Sequence, residues 1–147
     1  MPLTVRQLLD RKSSGIYSLR PDASVLEALE LMAREDISSV LVTEGDELKG
    51  IFTERDYARK VILRGRNSRD TVIRELMTSQ LITITPQQTI ADCMSIMTER
   101  HIRHLPVMES GKVVGLISIG DVVKSIISDQ EATIQQLAGY ISGDLKT

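Results

Sequence analysis

The sequence is poor in aromatic residues: it has three Tyr, one Phe and no Trp among its 147 residues. A site that stacks several bases on aromatic side chains therefore has few candidates. It has one cysteine, Cys93, which excludes a disulfide within the chain and makes a reducing cytosol the default compartment. No apolar run reaches the roughly 18 residues of a membrane span, and the N-terminus lacks the apolar core of a signal peptide. We expect a cytoplasmic protein without a membrane partner.

An excess of charge of one sign is also missing. The formal net charge of −2 gives no electrostatic reason to expect nucleic acid as a partner. The sequence contains no P-loop, nucleophile elbow or glycine-rich dinucleotide fingerprint. His101 and His104 have no Cys, Asp or Glu at a spacing that completes a metal site. Cys93 lies among apolar residues at helical spacing, which predicts a buried core thiol. We expect neither an enzyme nor a metal site.

What the sequence does contain is one pattern twice. Gly50–Tyr57 is an apolar strand followed by a hydroxyl residue and then, three residues later, an aspartate, and the pattern recurs at Gly115–Val122. The repeat spacing of 65 positions holds without a gap from Pro21 to Asp121. The agreement covers a whole β-α-β-β-α unit, so we predict two copies of one unit of about 60 residues. The predicted fold is mixed α/β (α+β): a pseudo-twofold relates the copies, their sheets pack together and the helices lie outside. Two equivalent clefts then form at the seam.

We divide the chain into five segments: an N-terminal helix and loop (1–15), a first repeat (16–63), a polar linker (64–72), a second repeat (73–128) and a C-terminal helical tail (129–147). In the first repeat the patterns predict a strand at Ile16–Leu19, a helix at Val25–Glu35 capped by Asp22 or Ser24, a hairpin of strands Ser38–Val42 and Leu48–Phe52, and a helix from Thr53 or Glu54 to about Leu63. The second repeat echoes these elements, and Ile73–Met77 echoes the helical turn at Val5–Leu9.

A long helix is predicted from Val122 to about Ala138, with Gly139 as its stop. This tail has no counterpart in the first copy. Its apolar face needs a partner surface, either the core of this chain or a second subunit.

Two tandem copies that each close on Gly-apolar-apolar-(Ser/Thr)-x-x-Asp resemble the CBS (cystathionine β-synthase) domain pair, also called a Bateman module. The resemblance covers roughly residues 8–130 and is closer in the second copy, where His101–Val107 precedes Gly115–Asp121. The first copy departs from the pattern with Leu41 where the second has Pro106. The whole chain is similar to small bacterial proteins made of a CBS pair only. The resemblance implies a non-catalytic regulatory sensor that binds an adenine nucleotide (AMP, ADP, ATP or NAD) in clefts between the repeats.

Asp56 and Asp121 have two interpretations. An aspartate at a helix start accepts backbone N–H bonds and suits the positive end of the helix dipole. A carboxylate also suits the paired hydroxyls of a ribose, and the resemblance implies this role. Thr53 and Ser118 are likewise either helix caps or, with the free N–H groups of the helix start, part of a phosphate site.

Arg55 distinguishes the two copies, because Gly120 takes its place in the second copy. A guanidinium there can add charge-assisted bonds to a phosphate. We therefore predict that the Thr53/Arg55/Asp56 cleft prefers the more highly charged phosphate chain.

The resemblance implies further ligand contacts at the strand entries. It places Ser18, Ile37 and Ser38 opposite Ser118 and Asp121, and it places Thr83, Ile102, Arg103 and His104 opposite Thr53 and Asp56. The alternative for Ile37–Ser38 and Ile102–His104 is an ordinary surface rim.

The readout would pass through an unidentified effector protein or through a change of assembly. The resemblance implies a disc-like homodimer, with the C-terminal helix as an additional dimer element. Two other functions stay open. One is a structural or partner-docking module whose clefts hold no ligand, and the other is a nucleic-acid-binding regulator that uses Arg64, Arg66 and Arg69.

Overall fold

The chain forms five α-helices and five strands within the described residues. A computed structural model describes residues 3–12 and 15–146, with only the backbone from residue 140 onward. The elements are α1 (Val5–Arg11), β1 (Ser18–Leu19), α2 (Val25–Glu35), β2 (Ser39–Glu44), β3 (Glu47–Thr53), α3 (Glu54–Asp56), α4 (Ile90–Arg100), β4 (His104–Glu109), β5 (Lys112–Ser118) and α5 (Ile119–Lys146). A π-helix, Tyr57–Ile62, follows α3, and a 3-10 turn, Ile73–Glu75, follows the linker. Residues 1, 2, 13, 14 and 147 of the predicted segments lie outside this description.

The two copies have the same strand arrangement. In the first sheet β1 is parallel to β2, and β2 is antiparallel to β3. In the second sheet β4 and β5 are antiparallel, and Ile84 bridges Val107 in parallel just as Leu19 pairs with Val42 in the first. A full first strand is thus reduced to one bridging residue in the second copy. The predicted tandem α/β (α+β) repeat is confirmed.

Each sheet has a helix-facing side and a seam-facing side. Val40, Val42 and Phe52 are fully buried against the helices of the first copy. Leu41 and Ile51 alternate with them along the strands, so they point to the opposite side of the sheet, where β3 contacts β5. The sheets therefore meet at the seam and the helices lie outside, as predicted.

The helical segments Val5–Arg11 and Ile73–Glu75, which match each other in the repeat, each pack into the core of the other copy. Val5 and Leu8 of α1 are buried in the second core, while Ile73 and Leu76 are buried in the first. Backbone bridges at the same places join Thr4 to Thr89 and Ser24 to Val72. The two segments match in sequence, but their exchange between copies is visible only in the structure.

Several predicted boundaries differ from the structure: β2 is Ser39–Glu44 and not Ser38–Val42, β3 is Glu47–Thr53 and not Leu48–Phe52, and the helix predicted after Thr53 is α-helical only over Glu54–Asp56 before it becomes a π-helix. The strand predicted over Ile16–Leu19 forms only at Ser18–Leu19. The segment Ile73–Met77 makes a 3-10 turn and not a second α-helix, because Thr78 at once pairs in extended form with Ile51. The long helix starts earlier, at Ile119, and runs through Gly139 to Lys146. Gly139 does not adopt the left-handed backbone that would end a helix there.

Candidate functional site

Each strand-to-helix junction is fixed by a reciprocal pair of hydrogen bonds. Ser118 N donates to Asp121 Oδ2 at 2.8 Å, and Asp121 N donates to Ser118 Oγ at 3.2 Å. Thr53 and Asp56 repeat this pair at 3.0 Å in both directions. These bonds satisfy N–H groups that a helix start leaves without partners. Both aspartates therefore act as capping residues, and the same bonds fix the position of each carboxylate.

A cleft of about 430 Å³ opens at the seam beside Asp121, and we call it the Asp121 cleft. Both copies contribute to its wall. Ile37 and Ser38 come from the first copy, and Ser118 and Asp121 come from the second. The remaining lining residues are Lys12, Gly15, Ile16, Tyr17, Glu35, Asp36, Ser39, Glu54, His104, Leu116, Gly120 and Lys124.

The chain reaches the cleft through the end of α2. Asp36 follows α2 in the left-handed conformation with φ 54°, and Ile37 N donates back to Met32 O at 3.0 Å. This closing turn ends the helix and directs the next residues into β2. Ile37 and Ser38 are thereby held at the mouth of the strand, where they face the second copy.

Several predicted site residues lie away from the Asp121 cleft. Ser18 is exposed on β1, and the residues just before it line the cleft instead. Thr83 and Arg103 are exposed, and neither belongs to the cleft wall. Ile102 is half-buried and packs against the second core. A ligand role for these residues stays a prediction.

His104 lies in a different place from the one predicted. It was expected opposite Thr53 and Asp56, but it lines the Asp121 cleft with its Nε2 3.0 Å from Ser38 Oγ. The register explains this, because His104 begins β4 directly beside Ser118 of β5. Burial lowers the pKa of His104 below 6.5, although the Asp121 carboxylate partly opposes this effect. Burial therefore favours the neutral ring, which offers hydrogen bonds, over the charged form.

Asp121 has a cationic partner that the sequence did not indicate. Lys12 Nζ donates to Asp121 Oδ2 at 2.7 Å and to the Leu116 carbonyl, also at 2.7 Å. Burial raises the pKa of the Asp121 carboxyl, but the bonds from Lys12 and Ser118 outweigh it, and the net pKa is lower than usual. Asp121 is thus a stable carboxylate on the cleft wall.

The Asp56 carboxylate has more hydrogen-bond and ion-pair partners than the Asp121 carboxylate. Its Oδ2 accepts from Thr53, and its Oδ1 accepts from Thr78 Oγ1 at 3.2 Å and lies 3.0 Å from Lys60 Nζ. Its side chain is 10% exposed, compared with 21% for Asp121. Since both oxygens already have partners, Asp56 is the less accessible carboxylate. Arg55 donates across the seam to the His101 carbonyl at 3.4 Å. Its predicted preference for a highly charged phosphate chain stays a prediction.

Sequence reasoning missed two cations on the wall. Lys124 lies three residues after Asp121 on α5, so helical spacing could have indicated it. Lys12 had no such signal, because it reaches Asp121 from 109 positions away through the exchanged helix α1.

The described part of the chain has few of the groups that a metal site or a catalytic nucleophile would need. Among the side chains that the structure describes, no group of three His, Cys, Asp or Glu could hold a metal ion. No helix within residues 3–12 and 15–146 is long and apolar enough to cross a membrane. Cys93 is fully buried as predicted, and burial raises the pKa of its thiol to about 11. A thiol with that pKa is a poor nucleophile at neutral pH.

Comparison with known protein families also divides the chain into two repeats. The sequence profile of the CBS domain matches residues 5–63 and again residues 73–128. The chain belongs to the CBS domain family. The two matches make it a CBS pair, which confirms the resemblance inferred from the sequence. CBS-pair proteins are generally regulatory and generally non-catalytic, and many of them bind nucleotides.

Known proteins resemble this CBS pair in sequence, and solved ones resemble it in fold. A solved CBS-domain protein from Burkholderia ambifaria is 48% identical with a TM-score of 0.83, over 86% of this chain and 96% of that one. A mitochondrial CBS domain-containing protein of Arabidopsis thaliana is 38% identical over 127 residues. That alignment covers 83% of this chain and only 62% of the relative. A CBS-CP12 protein from bloom-forming cyanobacteria, 24% identical with a TM-score of 0.74 over 84% of this chain and 71% of its own, is hexameric.

Proposed function

We propose that this CBS pair is a non-catalytic sensor that binds an adenine nucleotide (AMP, ADP, ATP or NAD) in the Asp121 cleft. The position of Asp121 carries the proposal, because a fixed carboxylate faces a cleft whose opposite wall comes from the other copy. The cleft volume of about 430 Å³ lies within the usual range of small-molecule sites.

The lining chemistry supports the same ligand class. Asp121 can accept bonds from the two ribose hydroxyls. Ile16, Tyr17 and Ile37 supply apolar and aromatic surface for the base. The Ser118 hydroxyl, at the start of α5, lines the same wall and can donate a hydrogen bond to a phosphate. Each part of a nucleotide therefore has a matching group on the wall.

The mechanism is linkage between the two copies. A ligand that contacts Ser38 of one copy and Asp121 of the other favours the arrangement that brings these residues closest. The resulting shift is limited by the difference in ligand affinity between the arrangements. The change is then read by an effector protein or by the state of assembly, and no catalytic step is needed.

Replacing Asp121 with Asn tests the proposal. The amide keeps an acceptor for Ser118 N but loses the charge that binds a ribose diol, so the variant should fold without responding to nucleotide. In the wild type, a nucleotide at 100 times its Kd should stabilise the fold by about 2.7 kcal/mol, which raises Tm by several degrees. Thermal melts with millimolar AMP, ADP, ATP and NAD measure both effects.

Asp129→Asn is the matched control, because Asp129 is an exposed aspartate farther along α5 and outside the cleft. It should respond to nucleotide like the wild type. The proposal is wrong if none of the four nucleotides raises the Tm of the wild type, or if Asp121→Asn retains the full response. The first result would favour a structural or docking module.

The nucleic-acid alternative depends on Arg64, Arg66 and Arg69 in the linker. All three are exposed, but Arg66 forms an ion pair with Glu75, which reduces the free positive charge of the cluster. No observation in the described residues favours this function over the nucleotide sensor.

We also propose that two copies of this CBS pair associate into a disc-like homodimer, with α5 as an additional dimer element. Ile134 and Leu137 on α5 are 63% and 58% exposed. With Val123 and Ile127 they follow a spacing typical of a helix-to-helix seam. Ile62 is 56% exposed at the position equivalent to Ile127, so both copies present an apolar side chain at the same place. A second copy of this chain provides a matching surface for both.

Ile134→Lys should weaken this dimer by at least about tenfold, since it places a charge in a buried apolar seam. Gln135→Lys is the control, because Gln135 is the next residue along the helix and lies off the seam. Sedimentation velocity separates the dimer from the 16.4 kDa monomer. A monomeric wild type, or an Ile134→Lys variant that dimerises as well as Gln135→Lys, would contradict the role of α5.

A further inference from the structure

Lys12 is the residue by which the exchanged helix α1 reaches the Asp121 cleft. It caps the end of α1, whose apolar side is fixed in the second core by Val5 and Leu8. Its side chain is 24% exposed, and its ammonium bonds both Asp121 and the Leu116 carbonyl. The ammonium is therefore held by a built site and does not extend freely into solvent.

The charge on the cleft wall makes this ammonium important. Four acidic side chains line the cleft and only two lysines do; they are Glu35, Asp36, Glu54 and Asp121, with Lys12 and Lys124. His104 adds little positive charge at neutral pH, because burial lowers its pKa. A phosphate that enters this acidic surrounding needs a cation to bind, and Lys12 lies next to the proposed ribose site.

Lys12 and a ribose diol that engages both oxygens of Asp121 would compete for Oδ2, which already accepts from Lys12 and Ser118 N. A nucleoside that takes the bonds of Asp121 leaves the Lys12 ammonium largely buried with one partner lost, and losing a partner there is costly. A nucleotide brings a phosphate that can accept the displaced ammonium, so it avoids this cost. The same carboxylate is thus open to phosphorylated ligands and disfavoured for unphosphorylated ones.

There is room for Lys12 to move. Besides the Asp121 cleft, it lines two adjoining cavities of about 190 Å³ and about 120 Å³. Its flexible four-carbon stem can carry the ammonium a short distance into the cleft while α1 stays in place.

We propose that Lys12 makes the Asp121 cleft selective for phosphorylated adenosine: its ammonium pairs with Asp121 in this structure and passes to a ligand phosphate in the nucleotide complex. This inference rests on the proposed function, because it assigns the selectivity of the same cleft.

Isothermal titration calorimetry of the wild type and of Lys12→Met, with AMP and with adenosine, tests this selectivity. Lys12→Met should bind AMP about tenfold more weakly, the worth of one charge-assisted hydrogen bond. It should bind adenosine more tightly, because Asp121 is then free. The preference for AMP over adenosine falls by at least about tenfold. Lys12→Arg keeps the charge and should retain most of the preference.

Lys124→Met is the matched control. It removes a cation from the same wall, but Lys124 does not bond Asp121 in the described structure. Its affinity for AMP should fall modestly, and its affinity for adenosine should not rise. A purely structural effect of Lys12 would weaken both ligands together, so the ratio of the two affinities separates selectivity from stability.

An unchanged AMP-to-adenosine ratio in Lys12→Met overturns the role of Lys12, and so does an equal loss of both ligands. If wild type binds AMP and only the ratio fails to move, the proposed function stands without this inference. If wild type binds neither ligand nor the other adenine nucleotides, both are overturned. Circular dichroism and melting of the ligand-free variants check the fold, and Lys12→Gln decides the ratio if Lys12→Met does not fold.

Discussion

Replacing Leu8 with Ala is expected to lower the free energy of unfolding by about 2–5 kcal/mol, the usual range for truncating a buried leucine. Leu8 is 3% exposed and packs in the core with Leu105 and Ile117. For a chain of this size the loss corresponds to a fall in Tm of roughly 5–15 °C. The damage should appear in the second copy, although Leu8 precedes the first copy in sequence.

Amide hydrogen exchange shows which copy loses stability in Leu8→Ala. The amides of Leu105 and Ile117 in the second sheet should lose protection before those of Val40 and Phe52 in the first. Asp10→Ala is the control, since Asp10 is exposed on the same helix and its substitution should change stability by less than about 1 kcal/mol. Loss of protection confined to the first sheet would contradict the exchanged packing.

The repeat itself could be predicted because its signals are local. The spacing of apolar residues and a cap at Asp22 or Ser24 predict α2 at Val25–Glu35, where the structure has it with Ser24 as the cap. The turn at Gly45, whose φ is 62°, fixed the hairpin between β2 and β3 in the same way. Such features depend on a few neighbouring residues, so a single sequence carries them.

The exchange of α1 could not be predicted in that way. Val5 and Leu8 form an apolar stripe that would fit the core of either copy, and nothing in the stripe selects between them. The choice depends on the path of the linker and on contacts such as Thr4 with Thr89, which are far apart in sequence.

The same difference between local and distant contacts explains which features of the site could be predicted from the sequence. The motif around Ser118 and Asp121 is local, and the structure places both on one cleft wall. The difference between the two clefts was inferred from Arg55 and Gly120 alone. In the structure, residues distant in sequence determine which of the two carboxylates is accessible. Lys12 pairs with Asp121, while Thr78 helps to enclose Asp56.

Ala at Gly115 and Ala at Gly50 should each cost about 1–3 kcal/mol, because both strands touch an exchanged segment where a Cβ does not fit. A Cβ at Gly115 would lie 2.5 Å from Leu9 Cδ2 and 2.9 Å from Leu9 Cδ1. A Cβ at Gly50 would lie 2.7 Å from Met77 Sδ and 2.8 Å from the Thr78 carbonyl oxygen. The first clash is with a side chain alone, and the second includes backbone.

The two glycines should therefore differ in a double-mutant cycle. In a Leu9→Ala background, Gly115→Ala should cost little, since both clashing carbons are gone. In a Met77→Ala background, Gly50→Ala should stay costly. The Thr78 carbonyl remains in place, bonded by Ile51 N at 3.0 Å while Thr78 N donates to Ile51 O at 2.9 Å. Urea unfolding of the four single and two double variants measures the coupling. Equal rescue of both glycines would mean that the Thr78 backbone can yield, and the bridge to Ile51 would then not fix the exchanged segment on the first sheet.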